Sequence, residues 1–298
     1  MVNSIVSVVM PAFNSADHVV EALDSVLRQT YKSFEVIVVN DGSTDSTGDI
    51  LAKYENLIKV ISTENNGASV ARNIGVLESK GNYIAFLDSD DIWHPDKLKI
   101  QIEYFEENTD VSMVANRREK FIDSHNVHFN KEKSFGAASS LDHYTILHRN
   151  PIHCSSVLIK RNALARSNLF DPRTKGASED TELWARIART QTIILGNDIL
   201  SWLRDHAGNT TKTYGFRTNQ LNSLNIMEKY WSDDVKAIKI IKKNMRGSSV
   251  ALAYEAADRM EFDVAKKCFI KAFLLGPTRV KFLLKYVYYL FRGMVYSK

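Results

Sequence analysis

The chain has 298 residues, 44% of them hydrophobic and 25% charged, a composition of folded globular material that excludes disordered, collagenous and disulfide-stapled classes. Its formal net charge of +4 is unevenly spread: Lys236 to Lys298 holds 14 Lys and Arg against 4 Asp and Glu, a surplus of +10, so the remaining residues carry −6. A basic tail on an acidic body points to an anionic surface, with membrane headgroups and nucleic acid as candidates, or to a solvated helical face.

The first half alternates short β-branched runs with helical patterns, the rhythm of an α/β domain with a largely parallel sheet. "IVSVVM" (5–10) reads as a strand and Val19 to Arg28 as a helix with Val20, Leu23, Val26 and Leu27 on one face. "FEVIVVN" (34–40) is a second strand, leading into a helix capped near Asp45 or Ser46. "LIKVIST" is a third, "GASVARNIGVLES" a helix with small residues at Ala68, Ala71 and Gly75, and "YIAFL" a fourth strand. Pro95 opens a helix through about Asn108. Polar residues follow each strand: Asn14, then Asn40 and Asp41, then Asn65 and Asn66, then Asp88 and Asp90. In open parallel sheets ligands sit at the carboxyl ends of the strands, so these groups are expected to line one cleft.

From Val111 to Arg204, strand-like runs "VSMVANR", "SSVLIKR" and "TIILGNDILSWLR" surround one strong helix, Glu179 to Arg189, and are expected to extend the sheet. Beyond Gly208 the pattern is helical. "ALAYEAADRMEFDVAKKCFIKAFLLGP" reads as a helix hairpin, and Leu252, Ala253, Ala265, Phe269, Ala272 and Pro277 fall at tetratricopeptide-like offsets. Cys154 and Cys268 are the only cysteines, too far apart in sequence for a C-x-x-C motif, which fits a reducing compartment. The N-terminus lacks a basic n-region, and no apolar run reaches the ~18 residues of a membrane span.

Asp88, Ser89 and Asp90 at a strand end form a D-x-D pair able to hold a hard divalent cation that also accepts phosphate oxygens, or an Asp-rich turn before the next helix. Asp41, at the second strand tip, can accept hydrogen bonds from a base or ribose. Neither G-x-G-x-x-G nor a P-loop is present, and an EF-hand is excluded by Trp93 and Lys99 at its sixth and twelfth positions.

Five segments taken together, "VSVVMPAFN" (6–14), "VVNDGSTDST" (38–47), "NNGASVARNIG" (65–75), "AFLDSDDIWHPDKL" (85–98) and "SEDTELWARIA" (178–188), resemble the family 2 glycosyltransferases. The resemblance spans roughly the first 190 residues. It implies a GT-A type, Rossmann-like mixed α/β sheet flanked by helices over residues 1–215, with a C-terminal α-helical appendage over 216–298. It also implies inverting transfer of a sugar from a nucleotide diphosphate sugar, with UDP as the expected nucleotide, to an acceptor hydroxyl in cell-surface polysaccharide or glycan assembly.

Carried over by position, the resemblance sets the nucleoside against Pro11, Ala12, Phe13 and Asn14, with Phe13 offering a stacking face. Asp41 contacts the base or ribose, Arg72 the base or phosphates, and Asp88 with Ser89 the ribose or donor sugar; the alternative places Phe13 in the core and pairs Arg72 with a nearby acid. Asp90 is the expected ligand of a divalent metal, Mn2+ or Mg2+, with His206 as a further ligand and Arg204 as a phosphate contact. Asp91 is a helix cap or a supporting group. Asp180 is the expected base and Glu179 its positioning partner, and both sit where acidic residues also complement a helix dipole. His153, Ser155 and Trp184 are expected beside the acceptor, a glycan or lipid-linked molecule; no nucleic-acid partner is implied. The aromatic, basic segment 278–298 suits an interfacial helix at the inner leaflet, packing on the preceding hairpin, or a protein partner. The expected location is cytoplasmic, peripheral to the membrane at most. A different class of function is a degenerate transferase that binds sugar nucleotides or serves as a scaffold, which the retained Asp41, Asp90 and Asp180 argue against.

Overall fold

The computed structural model describes residues 5–122, 127, 129, 133–174, 176–213, 215–276 and 288. Two compact units are present, one of residues 1–175 and 179–209 and one of residues 176–178 and 210–298.

The first unit begins with the alternation read from the sequence: β1 (Val6–Ala12), α1 (Val19–Leu27), β2 (Phe34–Asp41), α2 (Thr47–Ala52), β3 (Lys59–Thr63), α3 (Ala68–Leu77) and β4 (Tyr83–Phe86). It continues with β5 (Ile92–Trp93), α4 (Lys97–Glu107), β6 (Met113–Phe121), β7 (Ala138–Ser140), α5 (His143–His148), β8 (Val157–Lys160), α6 (Arg161–Arg166), α7 (Glu179–Ala188) and β9 (Ile193–Arg204). The strands form one sheet in the order β3-β2-β1-β4-β8-β6-β9-β5, with β7 also paired to β9. β1 to β4 are parallel, β8 runs antiparallel to both β4 and β6, and β6 runs parallel to β9. The sheet is therefore mixed, as expected, and the later strands do extend it.

Period-two burial explains why helices cover both faces. Val6, Val8 and Met10 of β1 and Val36 and Val38 of β2 pack with Ala22, Leu23 and Val26 of α1. The intervening Ile37 and Val39 instead meet Ala71 and Ile74 of α3. The small residues of α3 allow this close approach: a Cβ on Gly75 would stand 2.4 Å from Val9 Cγ1. Pro11 lies beyond the last β1–β4 pair, Val9 with Phe86, where its missing N–H falls past the end of one neighbour.

β5 was not legible in the sequence. Ile92 and Trp93, read as part of a turn, pair antiparallel with Trp202 and Ser201 of β9. The helix expected at Pro95 begins at Lys97, with Asp96 rather than Asp91 at its N-cap.

The second unit holds α8 (Phe216–Tyr230), α9 (Val235–Asp258) and α10 (Phe262–Leu274). Asp234 caps α9 by accepting from Ala237 N at 2.9 Å. The expected hairpin is present: Ala253, Ala256 and Ala257 of α9 pack with Ala265, Phe269 and Ala272 of α10. No described helix is long and apolar enough to cross a membrane. The aromatic segment 278–298, apart from Tyr288, lies outside the described residues.

Candidate functional site

The carboxyl ends of β1, β2 and β4 carry the polar groups that their sequence promised. At β1, Phe13 is 47% exposed, so its ring is available rather than core. Asn14 adopts a positive φ of 47° and clasps the loop after β2, its amide accepting from Thr44 N at 2.8 Å while its own N donates to Ser43 Oγ at 3.0 Å. Ala12 is buried and Pro11 half-buried beneath. Asp41 is buried, and its two oxygens accept from Asn66 N (2.9 Å) and Gly67 N (2.8 Å), so it organises the loop after β3.

Arg72 of α3 is buried between two acids: Nη2 lies 2.7 Å from Asp88 Oδ1 and Nη1 lies 3.2 Å from Glu179 Oε1. This cation is what permits carboxylates to crowd at the end of β4. Burial pushes the Asp88 carboxyl up, but the charges of Arg72 and His153 and the Arg72 hydrogen bond hold it below the usual range. The bridge also brings the amino end of α7 to the end of β4, residues 91 positions apart in sequence.

The three aspartates have separate surroundings. Asp88 N donates to Ser155 Oγ at 3.1 Å, and that hydroxyl donates to Asp91 Oδ2 at 2.5 Å. Asp91 Oδ1 accepts from Arg204 N at 3.1 Å. Asp91 is thus a buried brace, and burial followed by the charges of Asp90 and Asp88 pushes its carboxyl well up. Asp90 is partly exposed, with His206 Nε2 at 3.0 Å from its Oδ2. Ser89 is buried, its hydroxyl 2.6 Å from Ser15 Oγ. His206 also meets the His18 ring edge-on, 4.7 Å between centroids.

Two groupings offer donors to a cation. Asp88, Asp91 and His153 can bring ligand atoms within 4.8 Å of one another. There, however, Asp88 is already balanced by Arg72, and both Asp91 oxygens are engaged. Asp90 and His206 are each partly open to solvent, and among the described residues the Asp90 carboxylate meets only the His206 imidazole, a mixed oxygen and nitrogen set that fits a divalent cation better.

Asp180 opens α7. Its Oδ1 accepts from Thr181 N (2.6 Å) and Thr181 Oγ1 (3.2 Å), and its Oδ2 from Asn150 Nδ2 (3.2 Å). Burial, followed by the neighbouring Glu179 charge, raises its pKa to about 6, against the pull of Thr181 and Arg72. A carboxylate so tuned takes up a proton near neutral pH.

Not every expected residue stands at the surface of this constellation. Arg204 is buried, with Nε on the Asp90 carbonyl (3.0 Å) and Nη2 paired to Glu21, over the Phe121 ring. Ser155 is fully buried as the brace described above, and Trp184 is core, packed on Phe86 and Phe170. His153 is partly open, 3.9 Å from Asp88 and 3.7 Å from Asp91, and burial keeps its pKa below the ordinary imidazole value. Asn150 and Arg118 were not singled out from the sequence. Asn150 lies in the loop after α5 and Arg118 on β6, beside Ser201 of the parallel strand β9, and no motif spacing links either to Asp180.

The family profile described as "Glycosyl transferase family 2" matches residues 7–167, more than half of the chain. The UDP-Glc:alpha-D-GlcNAc-diphosphoundecaprenol beta-1,3-glucosyltransferase WfaP of Escherichia coli is 31% identical over 234 residues, covering 74% of this chain and 87% of that one. Among solved structures, S. aureus TarS in complex with UDP-GlcNAc aligns with a TM-score of 0.65 at 17% identity, over 90% of this chain and 81% of that one. The mannosyltransferase PcManGT of Pyrobaculum calidifontis, in complex with GDP-Man and Mn2+, aligns with a TM-score of 0.56 at 17% identity, over 97% of this chain and 86% of that one. At these identities the two structures show the shared GT-A-like fold.

Proposed function

The chain belongs to glycosyltransferase family 2 and is a glycosyltransferase that uses nucleotide sugars, and we propose that it transfers the sugar of a UDP-sugar to a glycan hydroxyl with inversion, in cell-surface polysaccharide assembly. The carrying observation is the Arg72 bridge, which ties Asp88 of the D-x-D pair to Glu179, the neighbour of the raised Asp180 carboxylate.

In this reading Phe13 stacks on the base, and the loop organised by Asp41 receives the nucleoside. Asp180 takes the acceptor proton as the acceptor oxygen attacks the anomeric carbon from the face opposite the diphosphate. The bond to the diphosphate breaks as the new glycosidic bond forms, with no covalent enzyme intermediate. Asp90 and His206 would hold a Mn2+ or Mg2+ ion, which supplies positive charge to the departing diphosphate. Arg72 keeps Asp88 ionised and places Glu179 beside the base. The likeness to the E. coli enzyme, whose name specifies a diphosphoundecaprenol-linked acceptor, supports a lipid-diphosphate-linked acceptor.

A thermal-shift screen of nucleotide sugars with and without Mn2+ tests this, since a ligand that binds the native state raises its melting temperature. The donor that shifts the protein should be turned over. Asp180→Asn is expected to abolish transfer while keeping the nucleotide-induced shift, whereas Asp90→Asn and His206→Ala should remove the Mn2+-dependent part of that shift. Near wild-type turnover by Asp180→Asn would overturn the assignment of the base.

A further inference from the structure

The segment between α5 and the 154–156 helical turn passes next to the base, and its Asn150 has a fully committed side chain. Asn150 Oδ1 accepts from Ile152 N at 3.0 Å, so the amide nitrogen must face α7. Its two N–H groups then reach Asp180 Oδ2 at 3.2 Å and Thr181 Oγ1 at 3.1 Å. Reversing the amide would set its oxygen against a carboxylate and strand the Ile152 N–H, so the network permits one orientation. The turn itself is anchored on both sides: Ile152 is buried, and the Pro151 carbonyl accepts from Arg118 Nη1 at 2.7 Å.

We propose that Asn150 is a positioning residue for the reaction, fixing the rotation of the Asp180 carboxylate so that Oδ2 is the oxygen that accepts the acceptor's proton. A carboxylate oxygen has two lone-pair sites. Both sites of Oδ1 are taken by Thr181, through its N–H and its hydroxyl. Oδ2 has one bond among the described residues, from Asn150, and one site remaining. Without Asn150 the carboxylate would be held through Oδ1 alone, by Thr181, and the open site of Oδ2 would lose its fixed direction. An apparently ordinary loop asparagine therefore decides which oxygen of the base works.

This inference rests on Asp180 being the base. The charged and titratable groups facing Asp180 are Glu179 on its own helix, Arg72 from α3, Arg118 from β6 and the buried thiol of Cys154. None of them bonds to the Asn150 side chain.

The test compares wild type, Asn150→Ala and Asn150→Asp by NMR of protein labelled at the aspartate carboxyl carbon, with Asp180 assigned from Asp180→Asn. Asn150→Asp keeps an oxygen for Ile152 N, so the turn is retained and only the donor is lost. Removing a hydrogen bond to the charged form should move the Asp180 midpoint upward by about one unit in Asn150→Ala and further in Asn150→Asp, which adds a like charge. In steady-state assays with the donor found by the screen, kcat should fall roughly tenfold with little change in donor KM. Midpoints equal to wild type in both variants would overturn the positioning role. If Asp180→Asn itself keeps its turnover, the base assignment has failed instead, so the two failures are separable.

Discussion

Arg72 Nη2 donates to Asp88 Oδ1 at 2.7 Å, tying the middle of α3 to the end of β4 in a buried pair. The same guanidinium reaches Glu179, so one side chain neutralises acids from two distant segments. Replacing it by alanine leaves both carboxylates without their cation. Arg72→Ala should cost about 3–5 kcal/mol in urea denaturation at neutral pH. The Asp88 carboxyl is held below its ordinary value, so the stability it contributes is present above about pH 4 and lost as pH falls through the lower folded value. The Arg72→Ala loss should accordingly shrink in acid, and Arg72→Lys, which cannot fork between two acids, should rescue only part of it. A loss independent of pH would mean that packing, including the Phe170 ring under the guanidinium, dominates instead.

The Asp180 carboxyl, raised to about 6, moves its titration into the working pH range. A base works when deprotonated, so kcat/KM should climb with pH through a midpoint near 6. After burial, the Glu179 charge is the largest cause of the rise. Glu179→Gln should therefore slide the rising limb to lower pH while leaving the plateau reduced by lost positioning. A limb that stays in place in Glu179→Gln would remove Glu179 from the electrostatics of the base.

The loop that receives the nucleoside in our reading depends on Gly42. Its φ is +74°, and a Cβ there would stand 2.6 Å from Asn65 N, a backbone atom unable to step aside alone. Gly42→Ala should cost about 1–2 kcal/mol from the left-handed backbone, and more from the clash. Because the displaced segment carries the Asn66 and Gly67 N–H groups that hold Asp41, nucleotide affinity should fall along with stability. Isothermal titration with UDP at matched folded fraction separates the two effects.

The strand-end acids were legible because the parallel half writes its topology into the sequence: a buried strand, a polar tip, a helix, repeated. Asp41, Asp88 and Asp90 could be placed that way, whereas Asp180, on a helix outside that repeat, was placed only by the family resemblance. What could not be read is who faces them. Arg72 read as a ligand contact or as the partner of a nearby acid, and the fold shows which acids: residues 72, 88 and 179 share one ion cluster. Ser155 and Asn150 belong to antiparallel connections whose register no periodicity announces. Their hydrogen bonds to Asp91 and Asp180 cross 64 and 30 residues. Lys97, a charged residue at the start of α4, is completely buried by the fold.

That lysine carries a stability signature of its own. Lys97 Nζ lies 4.1 Å from the Trp93 ring centroid and donates to Gln101 Oε1 at 2.8 Å, with no carboxylate partner among the described residues. Burial therefore drives its pKa well below 10.5. The unfolded chain keeps this proton to higher pH than the folded one, so wild-type stability should rise with pH between the depressed folded value and 10.5. Methionine matches the volume and removes both the charge and the slope. At neutral pH the gain from removing a buried cation opposes the loss of the Gln101 bond, each about 1–3 kcal/mol, so the net change should be small. The sharper expectation is in the trend: Lys97→Met should compare best with wild type at low pH and lose ground as pH climbs. Parallel stability curves from urea titrations across that range would show that the lysine stays charged throughout, held by the Trp93 face. Trp93 Nε1 donates to Ser155 O at 2.6 Å, and Ser155 braces Asp91, so the same variant also asks whether the buried cation is felt at the site. An unchanged nucleotide affinity in Lys97→Met would confine its effect to folding.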